Sequence, residues 1–471
     1  MSKSRALKNV SYTVESNLLS FLISAMVTFF VPRYIGTESY GYFQLYIFYS
    51  SYVGFLHFGW ADGLYLRYGG DYYNQLDRSK ISGQFWYNAA FEIILSIIVC
   101  VVGIRLTASG EKTTVIMFTS FAISIIISRT FLQYVLQCTN RIRDYSRTVI
   151  AERGVYFIIV IILIIIGTQK FYLFILADIV GKLAALVLTI YYCIDVVFCK
   201  PEPLITAANE IATNISVGIK LMLSNIASML IIGIVRYSIE YHWDVATFGK
   251  VSLSLSVSNM LMVFVNAVAL VMFPLLRRMD ENRYAEIYDR IRSLLMIILF
   301  AMLVLYYPIR SILSVWLPQY ADSLKYMALL FPICVFESKN SMLIATYMKT
   351  LRQEKKLLAV NVITMLLSMG ATWITIFRLR NLNLAILAIV ILVAFRCILA
   401  ESQVSKLLDI RIAKVTIIEC LMVSIFIYTS WEIGGIKGML IYVSFYVLYI
   451  TINRKKAKDI VNYLNAQRRN Q

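Results

Sequence analysis

The chain has 471 residues, of which 59% are hydrophobic and only 15% are charged, whereas about 25% of residues are charged in ordinary soluble domains. A soluble protein of this length would need far more polar surface, so the composition indicates an integral membrane protein. The net charge of +18 does not point to a nucleic-acid partner, because the basic residues are spread over many short loops. The seven cysteines lie in or beside apolar runs and form no CxxC pair, so neither a disulfide framework nor a metal site is expected.

Apolar runs that cross the hydrocarbon core of a bilayer need about 20 residues each. The sequence contains about fourteen such runs, which predicts an all-α polytopic membrane protein with about 14 transmembrane helices. The predicted spans cover residues 10–31, 40–66, 84–104, 114–138, 148–167, 171–194, 215–239, 246–273, 293–316, 323–347, 358–377, 382–404, 414–430 and 435–452.

Basic residues predict the orientation of the chain. Lys3, Arg5 and Lys8 precede a full-length first span without a cleavage pattern, which indicates an uncleaved cytoplasmic start. With both termini inside, most of the Lys and Arg residues fall in cytoplasmic segments, as the positive-inside rule requires. The predicted cytoplasmic loop after the eighth span carries Arg277, Arg278, Arg283, Arg290 and Arg292. The basic C-terminal tail is interpreted as a topology signal, with binding to anionic lipid as the alternative.

The two parts of the chain share an internal repeat. Residues 31–48 read VPRYIGTESYGYFQLYIF, and residues 234–255 read IVRYSIEYHWDVATFGKVSLSL. Each segment ends one span with Arg-Tyr, crosses a short outer loop and opens the next span with an aromatic residue and glycine. Gly41 thereby matches Gly249, and further matches keep nearly the same separation across four spans.

The repeat predicts two six-helix halves that are parallel, because an even number of spans starts both halves on the same side. Transporters are commonly built in this way, with the substrate site between the halves. The predicted domains are an N-terminal lobe over residues 1–204, a C-terminal lobe over 205–410, and two extra transmembrane helices with a basic cytoplasmic tail over 411–471.

Three short motifs resemble those of a known family. Pro32-Arg33-Tyr34-Ile35-Gly36 followed by Tyr40-Gly41, Gly59-Trp60-Ala61-Asp62-Gly63, and Met348-Lys349 with Arg352 and Lys355-Lys356 are similar to signatures of Wzx-type polysaccharide flippases. These carriers of O-antigen and capsule repeat units belong to the MOP superfamily, together with MATE drug exporters and lipid II flippases. The resemblance in span number and repeat covers nearly the whole chain, whereas the motif match is concentrated in residues 10–70.

The resemblance implies a flippase that moves polyprenyl pyrophosphate-linked oligosaccharide from the inner to the outer leaflet by alternating access. It implies a multi-pass protein of the bacterial inner membrane with both termini cytoplasmic. The expected partners are the lipid-linked oligosaccharide, membrane lipids and other proteins of surface polysaccharide assembly, with no nucleic acid.

Such a cargo needs cationic groups, because pyrophosphate and glycan do not enter hydrocarbon and ionisable residues inside spans usually face a cavity or a partner. The predicted substrate-binding cations are Arg33, Lys220, Arg236, Arg129, Arg153 and Lys250. Arg33 and Arg236 occupy matching positions in the two halves, which suits a diphosphate. The alternative is that both arginines reach outward to the lipid headgroups.

Polar residues at helical spacing predict the lining of a cavity. They are Asn17, Ser20 and Ser24 on the first span, Ser224 and Ser228 on the seventh, and Ser252, Ser256 and Asn259 on the eighth. The alternative interpretation of such stripes is close helix packing through small residues.

The sequence has no GxxxxGK[ST] loop, so an ion gradient or the substrate gradient must drive net transport. Asp62 and Glu15 are the predicted carboxylates that would load H⁺ or Na⁺, and no other cofactor is expected. Glu337 and Lys339 belong to the densest polar cluster within any span, which predicts either a gate or pairing with neighbouring helices. Asp178 and Lys182, four residues apart on one helix, predict a structural ion pair.

Two other functional classes compete with the flippase. A MATE-like exporter of cationic molecules would need an acidic cavity, whereas the predicted intramembrane set is mainly basic. A membrane enzyme acting on the same lipid would need a sizeable loop carrying acids or a metal site, and the sequence has no DxD pair or histidine cluster. The prediction is therefore a transporter and not an enzyme.

Overall fold

The structure, a computed structural model, describes residues 3–107, 110–276 and 284–469, and their side chains except those of 3–11, 13–14, 261, 263–276 and 453–469. This part of the chain is helical and contains no β-strand, which confirms the predicted all-α fold. Arg277, Arg278 and Arg283 of the predicted basic loop lie outside the described residues, as do the side chains of the basic tail.

Twelve helices among the described residues are long and apolar enough to cross a bilayer. The second predicted span, 40–66, is instead broken into helices of 17 and 8 residues. Phe58 and Gly59, both with positive φ, lie at this break. The eighth predicted span, 246–273, falls in a continuous helix whose side chains are described only in part. The predicted number of about fourteen spans stays a prediction.

The described chain divides into two compact units, of which unit 1 holds residues 1–226 and 245–249. Its helices are α1 (Lys3–Tyr34), α2 (Thr37–Val53), α3 (Trp60–Arg67), α4 (Arg78–Leu106), α5 (Gly110–Cys138), α6 (Ile142–Ile166), α7 (Phe171–Tyr192), α8 (Ile194–Val197) and the first part of α9 (Leu204–His242). Within this unit α5 packs against α2, α4 and α7, while α6 packs between α1 and α7.

Unit 2 holds residues 227–244 and 250–471. Its helices are the rest of α9, most of α10 (Val245–Leu276), α11 (Tyr284–Val304), α12 (Tyr306–Trp316), α13 (Tyr326–Leu330), α14 (Ile333–Ser338), α15 (Ala345–Thr350), α16 (Glu354–Thr372), α17 (Leu382–Leu408), α18 (Ala413–Tyr428) and α19 (Gly435–Arg469). The boundaries between the units fall inside α9 and α10. The predicted domain limits are not tested by this division.

Helix α17 is central to unit 2, because it packs against α13, α14 and α16. A π-helical turn over Lys339–Ile344 joins α14 to α15. In this composite span, Ser323–Thr350, 89% of the apolar 18-residue window is buried, whereas only 6% of the corresponding window of α4 is buried. The exposed isoleucines and valines of α4 give the helix an apolar outer surface that matches hydrocarbon.

Candidate functional site

The two matching arginines of the repeat lie in different units. Arg33 is exposed in the last turn of α1. Arg236 is half-buried in α9, where its Nη2 donates a hydrogen bond to Oγ of Ser252 at 2.9 Å. A predicted cation and a predicted polar stripe therefore meet within unit 2.

Lys220 and Lys250 are the predicted cations without a counter-ion among the described residues. Lys220 is exposed on α9, and Lys250 is half-buried near the start of α10. Neither lysine side chain forms an ion pair or a hydrogen bond within the described chain. A lysine inside an apolar span is costly unless it faces water or a partner. Both ammonium groups are thus available to an anionic ligand.

Arg129 and Arg153 lie among the acidic residues of unit 1. Nη1 of Arg129 forms an ion pair with Oε2 of Glu152. Lys182 pairs with Asp178, as predicted, and Arg153 is near enough to act electrostatically on the same carboxylate. The structure thus places these two predicted cavity cations beside carboxylates of their own unit.

The predicted polar stripes differ in exposure. On α1, Asn17 is exposed, whereas Ser20 and Ser24 are half-buried. On α9, both Ser224 and Ser228 are half-buried. On α10, Ser252 is buried, Ser256 is half-buried and Asn259 is exposed.

The predicted coupling residue Asp62 is buried at the start of α3, whereas Glu15 is exposed on α1. The Tyr134 hydroxyl donates to Oδ1 of Asp62 at 3.5 Å, and Nε2 of His57 lies 3.9 Å from Oδ2. Nδ1 of His57 accepts the Gly59 amide proton at 3.0 Å. A neutral His57 therefore carries its own proton on Nε2, facing Asp62.

Lys339 pairs with neighbouring helices, which was one of the two sequence predictions for it. Its Nζ lies 2.6 Å from a carboxylate oxygen of Glu401 on α17 and 2.6 Å from one of Glu419 on α18. Arg292 on α11 contacts the same two carboxylates at 2.9 and 3.1 Å. The four side chains are at most 3% exposed. Two cations and two anions thus balance one another inside unit 2.

Glu337 also has a partner from another helix. It forms an ion pair with Nη2 of Arg396 on α17, whose Nη1 donates to Oγ of Ser228 at 2.6 Å. A π-helical turn begins two residues after Glu337, and such turns are frequent at functional sites. Sequence reasoning selected Glu337, Lys339 and Ser228 but gave Arg396 no specific role.

A second polar cluster, absent from the sequence predictions, lies in unit 1. Nη1 of Arg67 contacts Glu210 Oε1 at 2.9 Å and donates to Asn214 Oδ1 at 2.6 Å. The Tyr68 hydroxyl donates to Glu210 at 2.8 Å, and Asn214 donates to Gln84 at 2.6 Å. Burial, and to a lesser extent the adjacent Glu210 carboxylate, raise the pKa of Tyr68 far above its ordinary value. The Tyr68 hydroxyl therefore stays a neutral hydrogen-bond donor. The cluster joins the end of α3 to α4 and α9.

Glycines permit two very close helix approaches in unit 1. A Cβ atom on Gly41 would lie 2.1 Å from the carbonyl oxygen of Val245, and one on Gly249 would lie 2.8 Å from Cα of Gly41. At the polar cluster, a Cβ atom on Gly63 would lie 1.8 Å from the carbonyl oxygen of Asn214. The matching glycines of the repeat, Gly41 and Gly249, are therefore in direct contact.

The fold is similar to those of several solved membrane transporters. A structure of the lipid II flippase MurJ in an inward closed conformation has a TM-score of 0.69 and 12% identity, over 95% of this chain and 99% of that one. An inward-facing multidrug resistance MATE transporter has a TM-score of 0.61 and 13% identity, over 88% and 99%. A MOP transporter from Pyrococcus furiosus has a TM-score of 0.54 and 13% identity, over 85% and 96%. No family model matches the sequence, and no curated protein matches it.

Proposed function

We propose that this protein is a flippase for polyprenyl pyrophosphate-linked oligosaccharides. It would move the lipid-linked repeat unit from the inner to the outer leaflet of a bacterial inner membrane, for the synthesis of O-antigen, capsule or a related surface polysaccharide. The fold supports transport as the general activity, since the structures it resembles are named as flippases and transporters. The assignment to the Wzx type rests on the sequence resemblance in residues 10–70.

The observation that carries the proposal is the distribution of unpaired charge. Among the acidic residues of the spans, Glu152, Asp178, Glu337, Glu401 and Glu419 form ion pairs within their own units, whereas Glu92 does not. In contrast, Lys220 and Lys250 have no counter-ion in the described chain. An uncompensated lysine in a span favours an anionic ligand, and a pyrophosphate offers several oxygens to such ammonium groups.

The two glycine contacts are candidates for the parts of the structure that open and close during alternating access. Gly41 with Gly249, and Gly63 with Asn214, hold helices closer together than any side chain would allow. We infer that each contact separates in one stage of the transport cycle and re-forms in the other. The polar cluster of Arg67 and Glu210 would then open together with the Gly63 contact.

The test is the sidedness of the lipid-linked cargo. We expect depletion of the protein in its native host to leave completed lipid-linked repeat units on the inner leaflet of spheroplasts, with loss of surface polysaccharide. Re-expression of Lys220→Gln should restore the outer-leaflet pool poorly, whereas Lys220→Arg should restore it because the positive charge remains. Lys170→Gln is the matched control, since Lys170 is an exposed lysine outside the candidate spans. Normal sidedness after depletion would refute the flippase assignment.

A MATE-like exporter of cationic small molecules is the second candidate, because one of the matching structures is named as a multidrug resistance transporter. This function predicts that depletion raises cellular accumulation of cationic dyes and leaves surface glycan unchanged. The same depleted strain distinguishes the two candidates when both measurements are made on it.

Coupling to an H⁺ or Na⁺ gradient is part of the proposal, with Asp62 and Glu15 as the carboxylates chosen from sequence. Asp62→Asn and Glu15→Gln should each be compared with the wild-type protein in gradient-driven flipping. If both variants keep gradient-dependent transport unchanged, neither carboxylate is the coupling group.

A further inference from the structure

Helix α4 carries a polar stripe that the proposed transport site does not use. Gln84, Asn88 and Glu92 follow one another at four-residue intervals and therefore lie on one face of the helix. All three are completely buried. The other faces of the helix expose apolar residues, including Ile93 and Ile97. The stripe thus points into the packed interior of unit 1.

The side chains of Asn88 and Glu92, at the C-terminal end of this stripe, have no hydrogen-bond partner among the described residues. Neither carboxyl oxygen of Glu92 and neither amide atom of Asn88 is satisfied. Gln84, at the lower end, is held by donors to its Oε1 from Trp60 Nε1 at 3.1 Å and Asn214 Nδ2 at 2.6 Å. Buried polar groups are almost always satisfied, so the unsatisfied pair of Asn88 and Glu92 requires a ligand or a proton.

No charged group neutralises Glu92. The titratable or charged groups on α4 and on the two elements packed most extensively against it, α5 and α8, are Arg78, Lys80, Tyr87, Cys100, Arg105, Glu111, Lys112, Arg129, Tyr134, Cys138 and Asp195. The segment before α3, α3 itself and the first part of α9 reach α4 through Phe58, Trp60 and Asn214, and they add His57, Asp62, Tyr65, Arg67, Glu210 and Lys220. Lys80 and Arg105 are about 18 and 20 Å from Glu92 along the helix. Arg129 is paired with Glu152. None of these groups forms an ion pair or hydrogen bond with Glu92.

The chemistry of the pair favours a proton over a metal ion. A hard metal cation needs about six oxygen ligands, and the described chain has no group of three carboxylate, histidine or cysteine side chains that could hold a metal. A protonated carboxyl group needs only an acceptor for its O–H and a donor for its carbonyl oxygen. The carboxamide of Asn88, one helical turn away, has both kinds of group, although it forms no hydrogen bond with Glu92 in this structure.

We propose that Glu92 is a proton-binding site of unit 1, and that the carboxamide of Asn88, one helical turn away, hydrogen-bonds the carboxyl group once it is protonated. In the conformation described here the proton stays on Glu92, because an unpaired carboxylate in this interior has no compensating charge. Release requires a conformation in which water or a cation reaches α4, so proton release is linked to rearrangement of the unit. Resting on the proposed flippase function, this linkage makes Glu92 a coupling group for a proton gradient in addition to the sequence candidates Asp62 and Glu15.

Infrared difference spectroscopy of the purified full-length protein tests proton binding without any cargo. The carboxylic-acid band that disappears on raising the pH should be lost in Glu92→Gln and kept in Glu111→Gln, which makes the same change at an exposed carboxylate. Asn88→Leu should shift this band, because the hydrogen bonds to the acid change. If Glu92→Gln folds poorly, the Asn88→Leu shift remains the deciding measurement.

Two results would overturn the site. One is a wild-type spectrum in both Glu92→Gln and Asn88→Leu. The other is loss of the acid band on adding Na⁺ at constant pH, which would show that the site takes sodium in place of a proton.

Coupling is tested separately in proteoliposomes loaded with lipid-linked oligosaccharide. Glu92→Gln should abolish the acceleration of flipping by a proton gradient, whereas Glu111→Gln should keep it. Gradient-driven flipping by Glu92→Gln at the wild-type rate would overturn the coupling role. Absence of flipping by the wild-type protein would refute the proposed function and leave the spectroscopic result for Glu92 standing.

Discussion

The balanced charge cluster of Lys339, Arg292, Glu401 and Glu419 gives a quantitative prediction about stability. Lys339→Met removes one of the two cations and leaves both carboxylates sharing Arg292. Removing one partner of a buried ion pair typically costs about 3–5 kcal/mol. The cost in this cluster should be in that range, because Lys339 contacts both carboxylates at 2.6 Å and is only 3% exposed.

A second change should restore much of this loss. Lys339→Met combined with Glu419→Gln leaves Arg292 facing Glu401, which also accepts from the Tyr288 hydroxyl at 3.1 Å. Charge balance is thereby recovered, and we expect the double variant to regain at least about 2 kcal/mol relative to Lys339→Met alone.

The assay is unfolding of the detergent-solubilised protein, followed by the fraction that remains monodisperse after heating and by denaturant titration. Lys437→Met is the matched control, since Lys437 is exposed and has no ion pair in the described chain. A double variant that is as unstable as the sum of its single variants would refute the charge-balance argument. So would a Lys339→Met protein as stable as the control.

Three further predictions concern single contacts. Gly41→Ala should destabilise the protein, because the new Cβ atom would overlap with the backbone of Val245. Gly154→Ala should be neutral or stabilising by up to about 1 kcal/mol, because its Cβ atom would meet nothing within 4 Å. Thermal unfolding of the two variants checks this difference. Arg67→Gln and Glu210→Gln should show a coupling energy of at most about 1 kcal/mol in a double-mutant cycle, because the two side chains are 30% and 23% exposed; a larger coupling would contradict this. Ser228→Ala should cost about 1–3 kcal/mol by leaving Nη1 of the buried Arg396 guanidinium without its acceptor, while Nη2 keeps its ion pair with Glu337, and Ser228→Thr should retain most of the stability.

The fold class could be predicted from the sequence, because the length, hydropathy and charge of a membrane span are properties of consecutive residues. The break in the second span was not predicted, since its residues are as apolar as those of a continuous helix. That break depends on the positive φ values of Phe58 and Gly59, which hydropathy does not report. In contrast, the local ion pair of Asp178 and Lys182 was predictable, because helix geometry alone brings residues four apart together.

Ion-pair partners that are far apart in the chain could not be predicted from the sequence. Lys339 finds its partners 62 and 80 residues along the chain, and Arg292 is linked to Glu401 over 109 residues. Periodicity places each residue on one face of its own helix, but the partner depends on how the helices pack. Gly41 and Gly249, which the repeat aligns as equivalents, are also in contact, but the alignment did not predict this contact.

Pairing also changes how the charges inside the spans should be weighed. A count of acidic and basic residues in the spans treats Arg129 and Lys220 as equal candidates for an anionic cargo. The structure separates them, because Arg129 faces Glu152 and Lys220 has no counter-ion among the described residues. A paired cation binds pyrophosphate only by giving up its carboxylate, whereas an unpaired cation in a span gains from any anion that reaches it. The same reasoning makes Glu92 distinct from the paired acids, since its charge is compensated only by a proton or by an ion from outside the described chain.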